Sequence, residues 1–151
     1  MTTITPDSQS SHSPRTNALK VAEIPSWVVA AIDDEMDNLT LVTKVLSFNG
    51  AVVHTAVNGE LGLELIRRVH PTLILLDLSM PVMDGWALIA TLRADPTFQK
   101  TPVIALTAHA MVGDKERILA GGFDGYISKP FRITTFLGEI MRCLGQSAQQ
   151  A

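Results

Sequence analysis

An α/β fold on a parallel sheet is predicted by three features of this sequence. Five short apolar runs recur along the chain, and each is followed by a longer segment with helical periodicity. The runs at 27–32, 73–76 and 103–106 are apolar throughout rather than alternating, the pattern of strands buried on both faces of a sheet. Regular alternation of strand and helix requires right-handed crossovers with helices covering both faces, which gives a (βα)5 arrangement.

Taken in order, WVVAAI at 27–32 is the first strand, too short for a convincing helix. Leu39, Val42, Val45 and Leu46 then recur on one helical face, and Gly50 sits where that helix would stop. VVHTA at 52–56 is the second strand; Leu61, Leu65, Ile66 and Val69 mark the second helix, with Pro71 beyond its end. LILL at 73–76 leads into a third helix carrying Trp86, Ile89 and Leu92, and VIAL at 103–106 into a fourth carrying Met111, Lys115, Ile118 and Leu119 before Gly121 and Gly122. GYIS at 125–128 is the fifth strand, followed by a helix with Phe136, Ile140 and Leu144. Asp37 and Asp114 are read as helix caps, the Met80–Met83 turn as loop geometry, and Trp27 and Trp86 as packing or surface residues.

Length and composition fit one domain. The chain has 151 residues, 46% hydrophobic and 18% charged, enough apolar surface for a single core. Residues 1–25 are rich in Ser, Thr and Pro and read as a flexible N-terminal tail, and 146–151 as a short polar C-terminal tail, leaving 26–145 as the domain with no room for a second. Net charge is −3, and no basic block exceeds Arg67-Arg68, which argues against nucleic acid or an anionic membrane as direct ligand. No apolar run approaches the ~18–20 residues of a membrane span, and the N-terminus does not resemble a secretory signal. With one cysteine, Cys143, no internal disulfide can form, and a cytoplasmic location is expected.

In an open parallel sheet, ligands bind beyond the carboxyl ends of the strands. Strand one is followed there by Asp33-Asp34, strand three by Asp77, strand four by Thr107 and strand five by Lys129-Pro130. One rim thus receives three carboxylates, a hydroxyl and an ammonium. Like charges so close together raise one another's pKa and call for a cation; an all-oxygen donor set with open positions suits Mg²⁺. Lys129 can meet a phosphate oxygen and Thr107 can donate a hydrogen bond, while Ala108 and Gly85 leave the approach open. Asp77, on the middle strand, is the carboxylate best placed as nucleophile, since carboxylates form acyl phosphates.

The stretches VVAAIDDEMDN (28–38), PTLILLDLSMPVMDGW (71–86), TPVIALTAHA (101–110) and GYISKPF (125–131) resemble the response-regulator receiver domain of bacterial two-component signalling. Residues 110–130 are further similar to single-domain cell-fate regulators and to receivers attached to hybrid histidine kinases. The resemblance implies a flavodoxin-like fold with strand order 2-1-3-4-5. It implies Asp77 as phosphoacceptor and metal ligand, Asp34 as direct Mg²⁺ ligand, Asp33 acting through metal-bound water, and the Ser79 backbone carbonyl completing the protein's share. Thr107 and Lys129 would contact the phosphoryl oxygens, the Lys129-Pro130 bond would be cis, and Tyr126 would turn inward with Thr107 as a switch. Partners would be a sensor histidine kinase or histidine phosphotransfer protein and an unknown downstream protein, reached through the face of helix four, strand five and helix five. Such a protein is no enzyme beyond its own phosphotransfer and autodephosphorylation. Ser79 and His109 depart from the commonest members, which leaves the acyl-phosphate lifetime open.

Two rival readings differ in chemistry. A haloacid-dehalogenase-type phosphatase needs a second Asp two residues after the nucleophile, where Ser79 stands. A phosphate-independent receiver or flavin carrier would act as a binding module; the complete acidic set disfavours the first, and the acidic pair after strand one, in place of a hydroxyl-rich loop, disfavours the second.

Overall fold

Branched and small apolar residues form five strands in the computed structural model, which describes residues 21–108 and 113–150. They are β1 (Val28–Ile32), β2 (Val52–Ala56), β3 (Leu73–Asp77), β4 (Val103–Thr107) and β5 (Gly125–Ser128). The helices between and after them are α1 (Met36–Phe48), α2 (Gly59–Val69), α3 (Gly85–Ala94), α4 (Asp114–Ala120) and α5 (Ile133–Gln150). The sheet is entirely parallel with order β2-β1-β3-β4-β5, as the resemblance implies.

The period-two geometry of each strand divides its side chains between two cores. Val29, Ala31, Leu73, Leu75, Ile104 and Leu106 point to one side, where α1 (Leu39, Val42, Leu46) and α5 (Phe136, Ile140, Leu144) cover them. Ala30, Ile32, Ile74, Leu76, Val103 and Ala105 point to the other, under Leu65 and Ile66 of α2, Leu88, Ile89 and Leu92 of α3, and Ile118 of α4. Every residue of β3 and β4 is buried, whereas the edge strand β2 is largely exposed or half-buried. The unbroken hydrophobicity of the central strands therefore has its expected cause.

Several boundaries differ from the sequence reading. β3 and β4 each run one residue further, so Asp77 and Thr107 are the last strand residues rather than the first beyond; Asp77 stays in register with Leu106 and Thr107 with Ser128. The packed body starts before Ser26: Val21–Ser26 forms a 3-10 turn whose Ile24 is buried beside the fully enclosed Trp27. α5 continues to Gln150 through the polar residues 146–150, which contain no helix breaker. Asp37 and Asp114 are not caps. Glu35 and Gly113 occupy the N-cap positions of α1 and α4 without a side-chain capping bond, and the two aspartates lie in the first turns, where the helix dipole favours negative charge. Met111, assigned to the fourth helix from sequence, lies outside the described residues, as does His109.

Two features behind the sheet matter below. Arg93, near the end of α3, donates from Nε to Gly122 O (2.9 Å), from Nη1 to the carbonyls of Phe98, Gln99 and Thr101, and from Nη2 to Asp124 Oδ2 at 3.2 Å. The same Asp124 oxygen accepts from Val103 N at 2.9 Å, so a buried carboxylate ties the starts of β4 and β5 to α3. On the opposite core, the Cys143 thiol of α5 donates to Tyr126 O of β5 at 3.3 Å, and burial pushes its pKa up to about 11.

Candidate functional site

The carboxyl ends of β1, β3, β4 and β5 converge on a cavity of about 230 Å³ lined by Asp34, Asp77, Ser79, Thr107, Ala108 and Lys129, among others. Asp33 lies beneath it, fully buried, and Asp77 is 2% exposed. The Lys129 ammonium reaches Asp33 Oδ2 at 3.0 Å and Asp77 Oδ1 at 3.3 Å. Its backbone is fixed by a 2.8 Å hydrogen bond from Lys129 N to Thr107 O, which locks the end of β5 to that of β4. The peptide bond to Pro130 is cis. Asp77 Oδ1 also accepts from Ser79 N at 3.1 Å, and Asp33 Oδ1 from Glu35 N at 2.9 Å; each carboxylate thus organises the loop that follows its own strand. Gly85 is required by close approach. A Cβ there would run into the carbonyl oxygen of Asp77 and lie 2.9 Å from Leu78 Cα.

The charges do not balance locally. Burial is the larger cause that raises the Asp77 pKa, to about 7, and the neighbouring Asp33 charge adds to it; the Ser79 N–H and Lys129 pull the other way. For Lys129, burial depresses the pKa, but the hydrogen bond and charge of Asp33 and then those of Asp77 outweigh it and leave a net rise. Asp77 Oδ2 is buried and finds no hydrogen-bond donor among the described residues. One carboxylate oxygen from each of Asp33, Asp34 and Asp77 lies within 4.8 Å of the others. An orphaned buried oxygen beside two further carboxylates fits a hard cation that takes oxygen ligands and keeps some of its waters, the chemistry of Mg²⁺.

All five residues picked from the strand ends, Asp33, Asp34, Asp77, Thr107 and Lys129, therefore arrive at one place. Ser79 lines the same cavity, and Tyr126 lies half-buried on β5, paired with Ala105 and packed against the α2–α4 side of the sheet. Two neighbours escaped sequence reading. Glu35 Oε1 stands 3.5 Å from the Lys129 ammonium, and Asn38 Nδ2 bridges Glu35 Oε1 (2.7 Å) and Asp33 Oδ2 (3.2 Å). Following an acidic pair, both look like the opening of a helix, and only the fold brings Lys129 to them. Trp86 is a packing residue, one of the two roles expected of it: it packs edge-on against Phe123, with the Arg117 guanidinium 5.0 Å from its ring centre. In the Met80–Met83 turn, Met83 N donates to Pro81 O across Val82, whose φ of 72° is a left-handed backbone that a β-branched residue rarely adopts.

A family model described as the response regulator receiver domain matches residues 29–140. The polar-differentiation response regulator DivK of Brucella ovis is 36% identical over 119 residues, 79% of this chain and 97% of that protein. Among solved structures, the chemotaxis response regulator CheY4 of Vibrio cholerae superposes with a TM-score of 0.73 at 29% identity, covering 78% of this chain and 98% of that one. The signal receiver domain of a signal transduction histidine kinase from Syntrophus aciditrophicus gives 0.69 at 28% identity over 79% and 90%. Among the described residues, no helix is long and apolar enough to cross a membrane.

Proposed function

The chain belongs to the response regulator receiver family, and on that premise we propose that Asp77 accepts a phosphoryl group from the phosphohistidine of a sensor kinase or phosphotransfer protein in the cytoplasm. The observation that carries this reading is the state of the Asp77 carboxylate: buried, touched on Oδ1 by Lys129 and Ser79 N, and unpartnered on Oδ2 among the described residues. A carboxylate kept only for stability would have both oxygens satisfied.

Asp33, Asp34, Asp77 and the Ser79 carbonyl would hold Mg²⁺, which supplies neutralisation of the transferring oxygens when bound. An Asp77 oxygen forms the new O–P bond while the P–N bond to imidazole breaks; the electron pair stays on the ring nitrogen, which takes up a proton. Lys129 stabilises charge on the moving phosphoryl group from a position fixed by β4 and β5. The acyl phosphate carries roughly −1.5 to −2 charges in place of the single negative charge of the Asp77 carboxylate. Thr107 and Lys129 are drawn toward it, and because their backbones are hydrogen-bonded to each other, β4 and β5 respond together. Tyr126, two residues before Ser128, is placed to pass that response to the α4-β5-α5 face and a downstream protein. Nearly complete switching needs ~5.5 kcal/mol of differential stabilisation, so ordinary coupling of ~1–3 kcal/mol moves the equilibrium only in part.

Incubation with Mg²⁺ and acetyl phosphate is expected to add a single ~80 Da mass, absent from Asp77→Asn and from the EDTA control. An unchanged intact mass for the unaltered protein would overturn the reading.

A further inference from the structure

We propose that Glu35 is a positioning residue that parks the Lys129 ammonium in the resting pit and releases it when a phosphoryl group arrives on Asp77. This inference rests on the phosphoacceptor reading of the same site. A lysine ammonium has three N–H donors, and the three nearby carboxylates match them one to one: Asp33 at 3.0 Å, Asp77 at 3.3 Å and Glu35 at 3.5 Å. No donor is left over for a phosphoryl oxygen. Asp33 is buried in the floor and Asp77 carries the reacting oxygens, so neither can leave; the Glu35 side chain, 64% exposed at the mouth, can.

Three further observations place Glu35 there by construction. It occupies the N-cap position of α1, yet its side chain makes no capping bond and is turned to the pit instead. Its backbone N–H is held by Asp33 Oδ1 at 2.9 Å, and its carboxylate by Asn38 Nδ2 at 2.7 Å. Its contact with lysine is long and solvent-exposed, the kind of ion pair that contributes little to stability and yields easily to a stronger anion. An incoming phosphoryl group, with more charge and shorter reach to the ammonium, displaces Glu35 and then repels it.

Beryllofluoride, which mimics a carboxylate-bound phosphoryl group, is the probe. With Mg²⁺ saturating and low ionic strength, its half-saturating concentration, read by fluorine NMR, should fall ~5-fold in Glu35→Gln and by a smaller factor in Asn38→Ala, with unchanged urea midpoints. Because the Debye length shrinks to about 3 Å at 1 M salt, most of that gain should vanish there, which a merely structural role would not predict. Equal or weaker beryllofluoride binding in Glu35→Gln would refute the parking role while leaving the phosphoacceptor reading intact. A second measurement needs no phosphoryl mimic: proton exchange at the Lys129 ammonium, followed by nitrogen-detected NMR, should be faster in Glu35→Gln. Identical exchange in the two proteins would overturn the proposal whatever beryllofluoride does, whereas failure of the parent to bind beryllofluoride at all, with exchange altered as expected, would count against the phosphoacceptor reading alone.

Discussion

Among the described residues, two buried carboxylate–cation clusters are built to opposite rules. Around Asp124, the Arg93 guanidinium meets the carboxylate and also donates to four carbonyl oxygens, while Val103 N donates to the same Asp124 oxygen. Around Asp77, one ammonium is shared by three carboxylates, an oxygen is left without a donor among the described residues, and burial with Asp33 pushes a pKa to about 7. The first cluster is electrostatically closed and serves as scaffold, pinning α3 to the starts of β4 and β5. The second is open: it lacks positive charge, and what would supply it comes from solution.

The contrast is broken most forcefully at the closed cluster. Arg93→Ala strands Asp124 in the interior and frees four carbonyls, so a loss of ~3–5 kcal/mol is expected in urea unfolding. A loss below about 1 kcal/mol would mean that the cluster is not the closed unit described.

At the open cluster the sign should reverse. The unfolded chain releases the Asp77 proton near 3.8, and the folded protein near 7, so between those values the folded state binds more protons and stability falls as pH rises. Asp77→Asn removes that cost. With divalent ions chelated, the variant should be more stable than the parent by ~1–4 kcal/mol above pH 7, the difference fading to nothing as pH drops below about 4. Urea midpoints across that range provide the measurement, and a variant less stable at pH 8 would contradict the account. Mg²⁺ should narrow the gap by stabilising only the parent's complete acid set.

The smallest effect concerns backbone strain at one residue beside the open cluster. Val82 holds its left-handed backbone in the loop that follows Asp77, with its side chain 78% exposed and little to lose. Val82→Gly relieves a strain of order 1–3 kcal/mol, partly offset by the greater freedom of glycine in the unfolded chain, so a net gain of about 1 kcal/mol is expected by thermal melting.

What could be read from sequence divides along the same line. Asp33, Asp34, Asp77, Thr107 and Lys129 were legible because each ends or follows an apolar strand, and a parallel sheet carries all such positions to one rim. Glu35 and Asn38 were not, since their role depends on Lys129, 94 residues from Glu35, and on a side chain declining its ordinary place at a helix cap. Arg93 and Asp124 were invisible for a related reason: 31 residues apart, they share no periodicity, and a lone arginine near a helix end reads as a favourable dipole contact. The 3-10 turn at Val21–Ser26 is too short to show a periodicity, and its packing comes from residues distant in the pattern, with Pro25 against Gly50 and Ile24 beside Trp27.

Cys143 offers a use that its burial makes possible. It is the chain's single thiol, it faces the backbone of β5 at Tyr126, and at neutral pH almost none of it is thiolate. An alkylating reagent can reach it only when α5 lifts from the sheet. The protein therefore carries its own clock for how often that last helix detaches, readable without any engineered label.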